Sequence, residues 1–231
     1  MFKSTLIIAP HADDEVLGCG GFIWKQTNEK KRVDVVVVAL GGIHHPHLSV
    51  AATYEQRYRE LERSCGILGC QIAGVLFPNM DMRLDTVAMV DLVSKLDEYI
   101  LAGNYDTVLL PYPSLNHDHK TVFNAAWSAL RPHHKQTVKT VALYEYGYVQ
   151  HQPTHCLSPS GGKIYHPLTK EAYRAKLEAL RCYSSQLRPA PSPTSENVVE
   201  ALAKFRAIEC QQSGMEGVEY AELFYLQKMV I

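Results

Sequence analysis

The sequence predicts a Rossmann-like α/β fold, a mostly parallel sheet with helices on both faces, and three observations predict it. Short apolar or β-branched runs alternate with longer helix-like segments through the first two thirds of the chain. The runs are apolar at nearly every position, Val35 to Leu40 above all, as in strands buried on both faces. Two groups of histidine and carboxylate follow two of these runs directly, at the carboxyl ends where open α/β sheets build their sites.

In order, the strands are expected at Ser4 to Ala9, Val33 to Leu40, Ala73 to Phe77, Thr107 to Leu110 and Val138 to Tyr146. Helical segments fill the gaps at Glu15 to Lys30, Thr53 to Leu68, Thr86 to Ala102 and Lys120 to Leu130, the alternation of a β-α-β-α sheet. The last third changes character. His151 to Pro167 is rich in Pro, Gly, Ser and His, and two helical stretches follow, Lys170 to Cys182 and Ser195 to Glu209. Between them Arg188-Pro-Ala-Pro-Ser-Pro-Thr194 reads as an extended, stiff connection. This third is expected to cap or rim the same domain, so residues 1–231 are read as one domain, for which 46% apolar residues supply a continuous core.

A net charge of −1, from 23 basic and 24 acidic side chains, gives no broad electrostatic reason to bind nucleic acid or an anionic membrane. No apolar run approaches the ~20 residues of a membrane span. The apolar stretch after Met1-Phe2-Lys3-Ser4 is too short and wrongly flanked for a signal peptide. The six cysteines lack C-x-x-C spacing, which argues against a thiolate zinc site or a disulfide framework and leads us to expect a reduced, cytoplasmic protein. Composition leaves a homo-oligomer open.

The first strand runs into Pro10-His11-Ala12-Asp13-Asp14-Glu15. Acidic residues in a first helical turn often do no more than complement the helix dipole, and Glu15 fits that role. Capping does not explain His11, and it needs one carboxylate rather than three. His11 and Asp14 suit a borderline divalent metal such as zinc, leaving Asp13 free. The fourth strand ends in Pro111-Tyr-Pro-Ser-Leu-Asn-His-Asp-His119, a second His/Asp group facing the same crevice if the sheet is parallel. His11, Asp14 and one histidine of that loop would make a three-ligand site with an open position for water, the arrangement of a hydrolytic zinc.

These two motifs resemble those of the PIG-L/LmbE-like de-N-acetylases, Ala/Pro-His-Pro-Asp-Asp-Glu and His-x-Asp-His. Asp81-Met-Arg-Leu-Asp85, Lys176 to Gln186 and Tyr220-Ala-Glu-Leu-Phe224 resemble later family segments. The resemblance implies metal ligands His11, Asp14 and His119, with Asp13 as general base on metal-bound water and Asp118 orienting a neighbouring group. It implies removal of an N-acetyl group from an amino-sugar substrate resembling N-acetylglucosamine, free or in a glycan conjugate. Zinc is the expected metal and ferrous iron the alternative, since both accept a His-carboxylate-His set. Two positions depart from the pattern. Ala12 replaces the usual Pro, and Asn116 stands where the first His of His-x-Asp-His is expected. A neutral amide cannot act as a protonated acid, but it can donate a hydrogen bond to an oxyanion.

Two other functions compete. Gly18-Cys-Gly-Gly21 invites a Rossmann-type nucleotide-binding reading, yet the glycines follow the carboxylates instead of preceding the helix. A noncatalytic sugar-binding protein would follow if Asn116 marked a degenerate site. His44, His45 and His47 read as loop residues at the rim, without an accompanying carboxylate. Arg83 suits either an anionic substrate group or an ion pair with Asp81 or Asp85. His133, His134, His151, His155 and His166 have no partner arguable from sequence.

Overall fold

The computed structural model describes residues 2–41, 52–132, 137–147 and 162–230. The His44 to His47 loop, His133, His134, His151, His155 and Cys156 lie outside the described residues. The elements run β1 (Ser4–Ala9), α1 (Asp14–Asn28), β2 (Arg32–Leu40), α2 (Tyr54–Leu68), β3 (Gln71–Pro78), a 3-10 turn (Leu84–Thr86), α3 (Met89–Gly103), β4 (Thr107–Pro111), α4 (His117–Ala129) and β5 (Thr140–Tyr144). β6 (Lys163–Leu168), α5 (Lys170–Arg181), α6 (Glu196–Gln212) and β7 (Tyr220–Met229) complete the described chain.

All seven described strands join one sheet in the order β3-β2-β1-β4-β5-β7-β6. The pairs among β1 to β5 are parallel, and β7 pairs antiparallel with both β5 and β6. The five predicted strands are present. Successive residues of β1 point to opposite faces: Ile7 and Ala9 enter one core with Val35 and Val37, Leu6 and Ile8 another with Val36 and Val38. Both cores are closed by helices, α1, α2 and α5 packing together and α3 with α4. Helices on both faces bury nearly all of the central strands β1, β2, β4 and β5, hence their unbroken apolar runs.

Helix boundaries follow their caps. Thr53 Oγ1 accepts the N–H of Gln56 to open α2, and Gly69 at φ +74° closes it. The separate turn at Leu84–Thr86 delays α3 to Met89, three residues past the expected Thr86. α4 starts earlier than the expected Lys120, because Asn116 Oδ1 accepts the N–H of Asp118 at 2.9 Å. His117, Asp118 and His119 therefore sit in a first helical turn, not in a loop. The last third does more than rim the domain, since it contributes β6 and β7 to the sheet. The expected stiff connection from Arg188 is instead folded in turns, with Ser192 N–H on Pro189 O and Ser195 N–H on Ser192 O.

Candidate active site

β1 and β4 are neighbours, Ile7 opposite Leu109, but their crossovers leave in opposite directions, α1 toward β2 and α4 toward β5. This reversal opens a crevice at the carboxyl ends of β1 and β4, and both motifs meet there.

The turn into α1 is held from two sides. Asp14 Oδ2 accepts the backbone N–H of His11 at 3.0 Å, and Glu15 accepts that of Asp13 at 3.0 Å. Glu15 is wholly buried, with its carboxylate also meeting the hydroxyl of Tyr183 and, at 3.4 Å, that of Ser64. It braces the loop from below. Asp13 itself adopts φ +122°, a conformation that L-residues rarely hold.

His119 Nε2 lies 3.2 Å from Asp14 Oδ2, and His11 Nδ1 lies 3.5 Å from the same oxygen. Ligands of a tetrahedral zinc with bonds of about 2.1 Å stand roughly 3.4 Å apart, so the donor spacing fits a single divalent ion. The outer ring nitrogens are both engaged. His11 Nε2 meets Asp118 Oδ2 at 2.9 Å, and His119 Nδ1 meets the hydroxyl of Tyr146. Asp118 is fully buried and fixed by the N–H groups of Met82 at 2.6 Å and Leu84 at 3.0 Å. It lies outside the His11, Asp14 and His119 group and holds the far nitrogen of His11, the kind of contact that stands behind metal-binding imidazoles.

Electrostatics favour a cation at this spot. Burial alone disfavours the His11 imidazolium, but hydrogen bonds to Asp118 and Asp14 outweigh it and push the pKa up to about 10. Burial opposes the Asp14 carboxylate too, yet the two imidazoles hold its pKa below the usual carboxylate range. Asp13 goes the other way: burial raises its pKa well above the ordinary value, Arg57 opposes, and Asp14 and Glu15 add to the rise. Among the described residues its carboxylate accepts no hydrogen bond, so it is free to take a proton from a reactant.

Sequence reasoning missed Arg57, Tyr146 and Tyr183. Arg57 is buried beside Asp13, donating from Nη2 to the Ala12 carbonyl at 2.7 Å and facing Asp81 at 4.0 Å. Among the described residues its Nε and Nη1 have no partner, although Arg57 lines the cleft. A buried donor left unpaired costs about 1–3 kcal/mol. Its signal lay in phase: Arg57 shares one helical stripe with Leu61, Cys65 and Leu68. Arg83 is exposed and makes neither expected ion pair, since Asp81 faces Arg57 and Asp85 faces His117.

The glycines of α1 serve packing. A side chain at Gly18 would strike the ring of Tyr144, and one at Gly21 would strike Leu168. They lie inside the helix, and the place of a pyrophosphate at its N-terminus is taken by Asp13, Asp14 and Glu15. This geometry removes the case for nucleotide binding.

The cleft, about 430 Å³, has His11, Asp13, Asp14 and His119 in its lining together with Leu17 and Gln186. The fold is shared by solved structures. The A40926 pseudoaglycone deacetylase Dbv21 matches with 18% identity over 100% of both chains and a TM-score of 0.75. The N,N'-diacetylchitobiose deacetylase from Pyrococcus horikoshii matches with 21% identity over 98% of this chain and 84% of its own, TM-score 0.69. The 4-carboxy-2-hydroxymuconate hydratase GalB from Pseudomonas putida KT2440 matches equally well, with 18% identity over 99% and 98% and a TM-score of 0.76. The fold thus hosts more than one reaction, and membership rests on sequence: residues 6–130, spanning both motifs, match the GlcNAc-PI de-N-acetylase family PIG-L, to which the chain belongs.

Proposed function

We propose that the protein is a zinc-dependent amide hydrolase that removes the acetyl group from an N-acetylated amino sugar, with ferrous iron the alternative metal. One observation carries the reading: His11 Nδ1, Asp14 Oδ2 and His119 Nε2 converge at single-ion spacing beside the unbonded carboxylate of Asp13. A bound metal supplies Lewis acidity to the acyl carbonyl and makes water a nucleophile at neutral pH. Asp13 takes the proton of the attacking water and returns it to the departing amine, work that suits a carboxyl whose pKa is raised by burial. Asn116 offers a neutral hydrogen bond to the developing oxyanion.

Two neighbours are named as deacetylases, of A40926 pseudoaglycone and of N,N'-diacetylchitobiose, and those names support a sugar amide here. The GalB likeness keeps a hydratase as the competing reading. We also assign the enzyme to the cytoplasm, in keeping with the free cysteines among the described residues; no described helix is long and apolar enough to cross a membrane. The deciding experiment screens N-acetyl amino sugars with detection of released amine, with and without a chelator. Amine release that stops on chelation supports the hydrolase. A metal-loaded protein that releases no amine from any of them but hydrates an unsaturated acid overturns it.

A further inference from the structure

We propose that Asp85, His117 and Asp118 form a second, weaker divalent-cation site at the mouth of the cleft. It depends on the active-site reading only for its coupling to the first metal, which passes through the carboxylate of Asp118. Nε2 of His117 lies 3.0 Å from the Met82 carbonyl oxygen, 3.4 Å from Asp118 Oδ1 and 3.7 Å from Asp85 Oδ1. Ligands of one tetrahedral zinc stand roughly 3.4 Å apart, so an imidazole and two carboxylates here have the spacing and chemistry of a cation site.

A histidine donating to one carbonyl accounts for the Met82 contact alone. The two carboxylates at the same nitrogen make either an ion pair with the imidazolium or a cation site, and zinc titration separates the two. A carboxylate has about four lone-pair sites. Asp118 uses two on Oδ2, for His11 Nε2 and the Met82 N–H, and one on Oδ1 for the Leu84 N–H. The fourth, on a fully buried side chain, faces His117.

The side chains of His117 and Asp85 are 47% and 62% exposed, so an ion enters from solvent and leaves readily. That exposure makes the site weaker than the buried one. An ion on Oδ1 draws charge from the carboxylate whose Oδ2 orients His11, and it also repels a cation in the first site. Activity is therefore expected to rise and then fall as divalent metal is added.

The test is calorimetric titration of zinc into chelator-stripped, full-length protein. The expected result is a tight and a weaker class, with Asp85→Asn and His117→Ala each weakening the second at least tenfold while keeping the first. His119→Ala should do the reverse. Excess zinc should inhibit the wild type more than His117→Ala. A wild type lacking the weaker class, or a weaker class unchanged in both variants, overturns the proposal. Loss of only the tight class from the wild type would instead sink the active-site reading and leave the second site standing.

Discussion

Asp118 grips His11 on the side away from the cleft: Oδ2 lies 2.9 Å from Nε2, which turns Nδ1 toward Asp14 and His119. His11 stands in the turn between β1 and α1 and Asp118 in the first turn of α4, and the contact exists because β1 and β4 lie side by side in the sheet.

Breaking that grip should loosen a metal at His11, Asp14 and His119 without removing any of those three residues. Asp118→Ala is expected to weaken metal affinity about 10–100-fold, the usual cost of losing such a partner. Asp118→Asn, which keeps one hydrogen bond to the ring, should lose less. Competition with a chromophoric chelator measures both, and unchanged affinity in the alanine variant would show that orientation of His11 does not matter.

Asp13 and Asp14 are adjacent but should fail differently. Asp13→Asn is expected to keep metal and lose activity on the order of a hundredfold or more, since the amide cannot accept a proton. Asp14→Asn removes the oxygen nearest both imidazoles and should deplete the metal. Equal metal loss in the two variants means the roles have been exchanged or shared.

The convergence of these residues in one cleft was legible in the sequence, because each His/Asp group directly follows a strand. The parallel pairing of β1 to β5 was legible from the alternating β and α segments, while their order in the sheet was not. β6 and β7 were not: Lys163–Leu168 follows a Pro/Gly/Ser-rich stretch, and Tyr220–Met229 carries Glu222 facing inward. That carboxylate is buried because it accepts the N–H groups of Gly21 and Phe22 and pairs with Lys176, a cross-chain arrangement that no local pattern announces. Arg57 was hidden for the same reason, one charge among the many of α2 whose partners lie far away in sequence.

The α1 glycines give a stability prediction with an internal control. Gly18→Ala drives a methyl into the ring of Tyr144, whose hydroxyl donates to the Ile8 carbonyl at 3.0 Å, and should cost about 1–3 kcal/mol. Gly66, helical with open space around its Cβ position, should gain up to about 1 kcal/mol when changed to Ala. Denaturant unfolding of both variants checks the contrast, and equal effects would contradict the packing role.

His166 makes stability pH-dependent. It packs against Phe22 and Phe224 at 5.1 and 6.3 Å between ring centroids, and its Nε2 has no partner. Burial lowers its pKa to about 4, with Glu222 opposing only in part. Between about 6.5 and 4 the unfolded chain binds more protons at this residue than the folded one, so its contribution is full above about pH 6.5 and lost as pH falls. The loss is on the order of 3 kcal/mol. His166→Phe should flatten the stability curve across that window, measured by denaturant unfolding at several pH values. A wild-type slope retained in the variant would remove His166 as its source.

Asn116 caps α4, and the oxyanion role proposed for it can be separated from that cap. Its Oδ1 caps α4 through the N–H of Asp118, and its Nδ2 points to Met82 Sδ at 3.4 Å, a weak partner that an oxyanion would readily replace. If the amide stabilises the transition state, its removal costs roughly 2.7–4 kcal/mol in rate, whereas loss of the cap alone costs about 1 kcal/mol in stability. Asn116→Ala should therefore show both losses. Asn116→Ser keeps a good capping oxygen but removes the amide N–H, so it should retain stability and metal content while losing most of the rate. Asn116→His should recover activity and bring a new ionisation near neutral pH, because imidazole titrates there and an amide does not. Single-turnover rates on the identified substrate, paired with unfolding curves, distinguish the outcomes. A serine variant as active as the wild type would leave Asn116 as a helix cap alone and transfer the oxyanion role to another group in the cleft.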